Sequence, residues 1–320
     1  MKITINQNLA RQIILFIVFE MVFMGFLSFV LVYYGPFEKT RENLVTTAMT
    51  TMKHQYIATW FLSKEEIDKI MAKYRVVSYE DEVESDIIIK NTNQNNVQLI
   101  DIKNNRFTGK MLIVANPKHV ALGITDMLGE RGRTLSEIVK KNGAIGGINA
   151  GGFGDENRVG TGAVPLGIVV QNHVIKYKAG DTFDIIGFDD KDVLVIDNNV
   201  TIEEIQKKGI RDAISFGPPL VINGKPTISY GNGGWGIQPR SAIGQRKDGT
   251  VLLLTIDGRQ IHSVGASLKE VQNLFLQYDA YNAANLDGGS SATMVYEGAV
   301  VNRPSDILGE RSIPSAFIIK

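Results

Sequence analysis

The feature that most constrains the fold of this 320-residue chain is an apolar run near its N-terminus. The run extends from Ile13 to Tyr34 and carries one charged residue, Glu20. A helix rises about 1.5 Å per residue, so one of this length crosses a hydrocarbon core of about 30 Å. We therefore expect residues 1–35 to form a short tail and a single transmembrane anchor. Basic residues flank the run almost equally, so charge does not set the orientation; we favour the tail inside and the large domain outside the cell.

Residues 36–75 are predicted to form a juxtamembrane helical segment. Four side chains recur at intervals of four and define one face of an amphipathic helix: Leu44, Ala48, Met52 and Tyr56. Ser63, followed three residues later by Glu66, has the sequence of a capping box, so a further helix is expected to begin there.

Residues 76–320 are predicted to form one large domain, because short apolar runs alternate there with turn residues and no internal repeat is present. Capping-box sequences begin helices at Thr134, Thr201 and Ser267. Since helices are few and do not alternate with strands, a doubly wound parallel sheet is not expected. The fold class that we predict is α+β, with large mixed β-sheets flanked by a few helices and preceded by the transmembrane helix.

Composition excludes several functions. Lys+Arg and Asp+Glu both total 34, so no overall basic field suggests a nucleic-acid partner. The chain has no cysteine, which excludes disulfides, thiol catalysis and cysteine-based metal sites. The four histidines form no His-x-x-x-His pair, so a metzincin-type site is excluded as well. Glycine is the residue in excess, with 32 copies, and it is clustered.

Two glycine clusters accompany polar residues at predicted strand ends. The first, within 143–167, places Asn149 and Gly151 at the end of an apolar strand. For a single glycine a tight turn is the favoured explanation, whereas for Asn149 a ligand role and a structural role are equally supported. The second cluster, 231–236, matches the G-x-G-x-x-G pattern of dinucleotide folds. Pro239 follows where that motif needs a helix, so this function is excluded; Arg240 then leads into a strand.

Charged residues follow two further strands. Asp257 and Arg259 come directly after the apolar run that ends at residue 256. Residues in this position either belong to an active site or form an exposed ion pair in a turn, and the ion pair is the simpler explanation. The third cluster consists of two glycines and two hydroxyl residues that follow Asp287: Gly288, Gly289, Ser290 and Ser291. Their successive amides could form an anion-binding nest. A carboxylate beside such a nest is unfavourable unless it has a catalytic role or a neighbouring cation, which favours function here.

Six segments, taken in order and spacing, resemble the phosphodiester glycosidase family, which includes bacterial members associated with exopolysaccharide. The segments are 148–153, 217–224, 239–244, 257–259, 285–290 and 302–304. Two features of the family are missing: a third glycine after Asp287 and a second aromatic residue after Phe153. These departures leave the identity of the substrate open, but they do not weaken the resemblance to the family.

The resemblance implies a hydrolase that cleaves a sugar-1-phosphodiester similar to a GlcNAc-1-phosphodiester, releasing the sugar and a phosphomonoester. Asp287 is the carboxylate expected nearest the reacting centre, and Asp257 is the second. Arg240 and Arg259 are expected to hold the phosphate together with the amides of residues 288–291. The expected substrate is a carbohydrate phosphodiester or glycopolymer of the cell envelope.

Asn149 and His262 are expected to contact hydroxyls of the sugar, and Gly151, near Asn149, is expected to belong to the same binding site. No cofactor is required by the sequence; a divalent cation such as Ca²⁺ bound by aspartate is compatible with it, but no ligand-spaced motif demands one.

Two alternatives stay open. The chain could be a non-catalytic scaffold that binds an envelope glycopolymer, or a phosphodiesterase that breaks the P–O bond instead of the C–O bond. The glycosidase is preferred because Arg240, Arg259, Asp257 and Asp287 all occur at predicted strand ends.

Overall fold

The computed structural model describes residues 7–51, 54–74, 86–90, 96–154 and 161–320. The chain forms two compact units, Met1–Lys73 and Tyr74–Lys320. Met52 of the predicted amphipathic face, the beginning of the predicted 76–320 domain and part of the first glycine cluster lie outside the described residues.

The described residues include seven α-helices, four of them in the first unit. Their bounds are α1 Gln7–Tyr34, α2 Glu38–Met49, α3 Tyr56–Thr59, α4 Lys64–Lys73, α5 Leu135–Lys141, α6 Ile202–Lys207 and α7 Leu268–Gln277.

The strands all belong to the second unit. In its first half they are β1 Val97–Lys103, β2 Thr108–Val114, β3 Val120–Ile124, β4 Gly146–Asn149, β5 Phe153–Gly154, β6 Val164–Pro165, β7 Ile168–Gln171, β8 Val174–Lys178 and β9 Phe183–Asp189. In its second half they are β10 Leu194–Val200, β11 Ile210–Ile214, β12 Pro219–Ile222, β13 Lys225–Pro226, β14 Arg240–Arg246, β15 Val251–Ile256, β16 Ala280–Leu286, β17 Met294–Tyr296, β18 Ala299–Val300 and β19 Ser315–Ile319.

In the first unit, the C-terminal end of α1 packs against the short helices that follow it. Tyr33 Oη donates to the carbonyl of Ile57 at 2.5 Å, and the Tyr33 ring lies 4.9 Å from that of Phe61. Lys73 Nζ forms an ion pair with Glu42 at 2.6 Å, which joins α4 to α2. The stretch of α1 from Asn8 to Tyr34 is long and apolar enough to cross a membrane.

The single amphipathic helix predicted through Leu44 and Tyr56 is wrong, because α2 ends at Met49 and α3 begins only at Tyr56. A run of threonines explains the end of α2. The hydroxyls of Thr50 and Thr51 donate to backbone carbonyls of Thr46 and Ala48. Such side-chain bonds compete with the backbone hydrogen bonds that would continue a helix.

Three sheets make up most of the second unit. The largest has seven strands in the order β1-β2-β15-β14-β16-β12-β13. Two five-stranded sheets have the orders β10-β9-β11-β7-β8 and β18-β17-β4-β19-β3. The α+β class is therefore confirmed. The described strand pairs are antiparallel and not of mixed direction, because neighbours such as β14 and β15 are joined by a turn too short for a parallel crossover.

The seven-stranded sheet is buried on both faces. In β15, Val251 and Leu253 belong to the central core, where they meet Ile148 and Phe317 of one five-stranded sheet and Ile186 of the other. The alternate residues of β15 pack on the opposite face against α7, which contributes Val271 and Phe275. Successive side chains of a strand point to opposite faces, so a strand covered on both sides has a continuous apolar sequence.

The capping boxes predicted at Thr134, Thr201 and Ser267 are confirmed, and each begins its helix at the expected residue. At the start of α7, the Ser267 amide donates to Glu270 Oε2 at 2.8 Å, and the Glu270 amide donates to Ser267 Oγ at 3.3 Å. Amides at the first turn have no partner within the helix, and this reciprocal pair satisfies two of them.

Strand β4 runs between β17 and β19, and it tolerates no side chain at Gly147. A Cβ there would lie 2.4 Å from the carbonyl oxygen of Phe317. We expect Gly147→Ala to lower the free energy of unfolding by about 1–3 kcal/mol, because the neighbouring backbone must move. Chemical denaturation of the full chain in detergent measures this. Gly154→Ala is the matched control, since a Cβ at Gly154 meets nothing within 4 Å; equal loss of stability in both variants would contradict the prediction.

Candidate active site

Three strand ends meet at one edge of the seven-stranded sheet. Arg240 begins β14 and pairs with Ile256 at the end of β15, while Ser241 pairs with Leu286 at the end of β16. Antiparallel pairing therefore places the segments that begin at Asp257 and Asp287 on either side of Arg240. The end of β4 reaches the same corner, because the Asp287 amide donates to the Ala150 carbonyl at 3.0 Å.

The side chain of Asn149 joins these segments. It is buried, its Nδ2 donates to the Asp287 carbonyl at 2.5 Å, and its Oδ1 accepts from Ser241 Oγ at 2.6 Å and from the Thr293 amide at 3.1 Å. The amide is thus used to hold β4, β14 and the segment after β16 together. This geometry supports the structural alternative for Asn149 over the predicted contact with sugar hydroxyls.

Asp257 is also buried and bonded within the protein. One carboxylate oxygen accepts from the Arg303 amide at 2.8 Å and from Asn302 Nδ2 at 3.1 Å, and the other accepts from Thr108 Oγ1 at 3.3 Å. Its backbone carbonyl accepts from Ser263 Oγ at 2.7 Å. The carboxylate therefore fixes two chain segments at the edge of the site, at Thr108 and at residues 302–303, which favours a positioning role over the predicted catalytic one.

Arg240 is a buried cation whose described hydrogen-bond partners are neutral carbonyls. Its guanidinium donates to the carbonyls of Ala266 at 3.0 Å, Trp235 at 2.8 Å and Gly236 at 2.7 Å. Burial, together with the nearby charge of Arg259, lowers the pKa of Arg240 to about 9. The side chain is still positive at neutral pH, so the corner carries a buried positive charge.

Arg259 adds a second cation beside the third glycine cluster. Its guanidinium donates to Ser290 Oγ at 3.3 Å and to Gln238 Oε1 at 3.0 Å. Burial and the charge of Arg311 lower the pKa of Arg259. Arg311 in turn lies over the ring of Phe153, 4.8 Å from its centroid. Three guanidinium groups thus influence one another electrostatically in this region.

The predicted anion nest is only partly available. The Gly289 amide donates to the Pro239 carbonyl at 2.9 Å, and the Ser291 amide donates to the Gly288 carbonyl at 3.2 Å. The amides of Gly288 and Ser290 have no partner among the described residues. A Cβ at Gly288 would lie 2.7 Å from the Pro239 oxygen, so glycine is needed there for close packing.

The remaining predicted residues lie at the border. Gly151 is buried and its amide donates to Ser315 Oγ at 3.1 Å. His262 is exposed, and its Nε2 lies 3.2 Å from a guanidinium nitrogen of Arg303. The structure therefore brings Arg240, Arg259 and Asp287 together, with Asn149 and Asp257 as their supports, and sets His262 on an outer turn.

Sequence reasoning missed several contributors to the site. Ser241 had a usable signal: it is a polar residue in a buried apolar strand, which implies a hydrogen-bond partner. Gln238 and Arg311 occur in loops with no recognisable pattern, and only the folded chain shows their contacts. Within the described part of the chain no group of three or more His, Asp or Glu suits a metal ion; the Ca²⁺ site stays a prediction.

The hydrogen bonds of Asn149 generate a prediction about stability. Asn149→Ala leaves three groups without this partner, two of them buried. It should cost more than Ser241→Ala, at about 1–3 kcal/mol per buried unsatisfied group. In a double-mutant cycle measured by denaturation, we expect a coupling free energy of about 0.5–3 kcal/mol. Additive effects of the two substitutions would show that the Ser241–Asn149 bond is not formed.

Comparison with known proteins gives a consistent picture. The family model for phosphodiester glycosidases matches residues 142–320. The SPbeta prophage-derived uncharacterized protein YomE of Bacillus subtilis is 32% identical over 196 residues, which cover 58% of this chain and 29% of that protein. The bovine N-acetylglucosamine-1-phosphodiester alpha-N-acetylglucosaminidase is 43% identical over 70 residues, covering 22% of this chain and 13% of the enzyme. The chain thus spans less than a third of the length of these curated relatives.

Solved structures show the same fold. The zebrafish N-acetylglucosamine-1-phosphodiester alpha-N-acetylglucosaminidase catalytic domain superposes with a TM-score of 0.57 at 22% identity, covering 70% of this chain and 82% of that one. A hypothetical protein from Synechocystis superposes with a TM-score of 0.54 at 16% identity, covering 70% of this chain and 61% of that one.

Proposed function

Because the chain belongs to the phosphodiester glycosidase family, we propose that it hydrolyses a sugar-1-phosphodiester and releases the free sugar and a phosphomonoester. The observation that carries this proposal is the meeting of Arg240, Arg259 and Asp287 at one sheet edge. The name of the bovine relative supports a GlcNAc-1-phosphodiester as the first substrate to test.

The cations suit the phosphate part of such a substrate. Arg259 offers a guanidinium beside Ser290, and the amides of Gly288 and Ser290 add two donors next to it. The buried charge of Arg240 adds positive charge to the corner, although its hydrogen bonds go to carbonyls within the chain. Donors fixed in place before the reaction stabilise negative charge without having to reorganise, and this favours departure of the phosphate.

Asp287 suits the sugar part. Its backbone is anchored on both sides, since its amide donates to Ala150 and its carbonyl accepts from Asn149. We propose that its half-buried carboxylate stabilises the positive charge that develops at the anomeric carbon as the C–O bond breaks. The bonding electrons leave with the phosphate oxygen. A water molecule supplies the oxygen and one hydrogen of the new sugar hydroxyl, and its other proton passes to the phosphomonoester or to solvent.

Asp257 and Asn149 are assigned positioning roles in this proposal. Asp257 holds the segment of Asn302 and Arg303 against β15, and Asn149 fixes the backbone of Asp287. Residues that support a site in this way keep reacting groups within the small displacements that catalysis tolerates.

We also propose that α1 anchors the chain in the cell membrane by a single pass, with the large domain outside. The length and apolar composition of α1 support the anchor, and an anchored domain outside the cell would meet envelope or exopolysaccharide substrates.

Replacing Asp287 tests the central assignment. Asp287→Asn keeps the size of the side chain but removes its charge. We expect kcat for hydrolysis of the methyl ester of GlcNAc-1-phosphate, a simple phosphodiester, to fall by about 100-fold or more. Asp181→Asn is the matched control, because Asp181 is exposed on the turn between β8 and β9. Unchanged turnover of the Asp287 variant would remove this residue from the mechanism. Binding of the wild-type chain to the substrate without any turnover would favour the scaffold alternative.

Isotope labelling distinguishes the two hydrolytic mechanisms. In ¹⁸O water we expect the label in the released sugar, because water attacks the anomeric carbon and the original bridging oxygen stays on phosphorus. Mass spectrometry of both products measures its position. Label in the phosphomonoester would instead establish P–O cleavage and support the phosphodiesterase alternative.

A further inference from the structure

Two tight turns at the border of the site expose large apolar side chains at their tips. In the first, Gln260 and Ser263 exchange backbone hydrogen bonds at 3.0 and 3.1 Å around Ile261 and His262. In the second, the Gly309 amide donates to the Asp306 carbonyl at 3.1 Å around Ile307 and Leu308. The exposed fractions are 106% for Ile261, 100% for Ile307 and 93% for Leu308.

Arg303 contacts the first turn and lies three residues before the second in the chain. Gln260 Nε2 donates to the Arg303 carbonyl at 2.9 Å, and an Arg303 guanidinium nitrogen lies 3.2 Å from His262 Nε2. Arg303 is also bonded to the buried carboxylate of Asp257 through its amide. We call Ile261, Ile307 and Leu308 the apolar rim.

Turn tips ordinarily carry polar residues, because they contact water on most sides. The turn from Asp306 to Gly309 has the expected residues at its two ends, with the Asp306 carboxylate accepting from the Leu308 amide at 3.0 Å. Its two central residues are nevertheless Ile and Leu. Side chains that are almost completely exposed at a tip do not line a cleft; they suit insertion into a soft apolar phase.

The charges around the apolar rim are of both signs, with Arg303 beside the first turn and Asp306 within the second. Arg303 is exposed and forms no ion pair with a carboxylate among the described residues. Arg259 lies in the same loop as Ile261, and the charge of Arg311 acts on it. Exposed apolar tips with an exposed arginine beside one of them match the interface of an anionic bilayer, where acyl chains begin just below a layer of phosphates.

We propose that the apolar rim docks on the surface of an anionic lipid bilayer. Ile261, Ile307 and Leu308 enter the boundary between headgroups and acyl chains, and Arg303 meets lipid phosphates. This docking does not depend on the proposed hydrolysis, since a non-catalytic scaffold with the same turns would bind in the same way. An N-terminal anchor would favour it further by keeping the domain at high effective concentration near the bilayer.

The absence of cysteine from the chain allows a direct test. The variants Ile261→Cys and Ile307→Cys are each labelled with an environment-sensitive fluorophore in the full chain and reconstituted into vesicles of phosphatidylcholine and phosphatidylglycerol. We expect emission to shift to shorter wavelength, with quenching by lipids spin-labelled near the headgroup. Val174→Cys is the matched control, because Val174 is an exposed apolar residue on β8 of another sheet. Quenching at the rim should exceed that at residue 174 several-fold, and it should weaken in vesicles of phosphatidylcholine alone.

A second variant keeps the test independent of the labelled position. With the fluorophore at residue 307, the added substitutions Ile261→Ser and Leu308→Ser should reduce lipid quenching several-fold, while circular dichroism stays unchanged. Equal quenching at residues 174, 261 and 307 would overturn the proposal. A shift of emission without quenching by spin-labelled lipid would also overturn it, because the rim would then contact protein, such as a second copy of the chain.

Discussion

The side-chain amide of Asn149 is the contact on which the geometry of the candidate site depends. Strand β4 belongs to a five-stranded sheet, whereas β14 and β16 belong to the seven-stranded sheet. Asn149 bonds to Ser241 of β14 and to the backbone of Asp287, which follows β16. One buried amide therefore fixes the relative position of two sheets at the point where the charged residues emerge. Buried polar groups are costly unless they are satisfied, so these bonds favour one arrangement over others.

The electrostatics of the corner follow from the same packing. Arg240 reaches carbonyl oxygens of Trp235, Gly236 and Ala266, so its bonds are satisfied while its charge is not neutralised by them. Arg259 is held by Gln238 and Ser290, which are also neutral. Burying cations against neutral acceptors raises their free energy relative to water. An anion bound near them would recover part of this free energy, as the phosphate of the proposed substrate would.

Local features of this fold could be predicted from the sequence, and long-range contacts could not. The capping boxes at Thr134, Thr201 and Ser267 involve residues three apart, and the apolar run before Asp257 marks a buried strand without knowledge of its neighbours. The convergence of strand ends was expected only through the family resemblance. The internal bonds of Asn149 could not be predicted, because they depend on partners that lie 92 to 144 residues away in the chain. For the same reason the glycines after Asp287 were interpreted as ligand contacts, although Gly288 is needed for close approach to Pro239.

Asp257 connects the candidate site with the apolar rim. Its carboxylate accepts from Arg303, beyond which the turn at Ile307 projects, and its backbone carbonyl accepts from Ser263, which closes the turn at Ile261. Arg259, two residues further along the chain, carries the cation beside Ser290. Because Asp257 holds Arg303 through its carboxylate and Ser263 through its carbonyl, displacing the turn at Ile261 would strain the segment that carries Arg259. A surface that engages the rim would thus stabilise the same loop arrangement that presents positive charge to a phosphodiester.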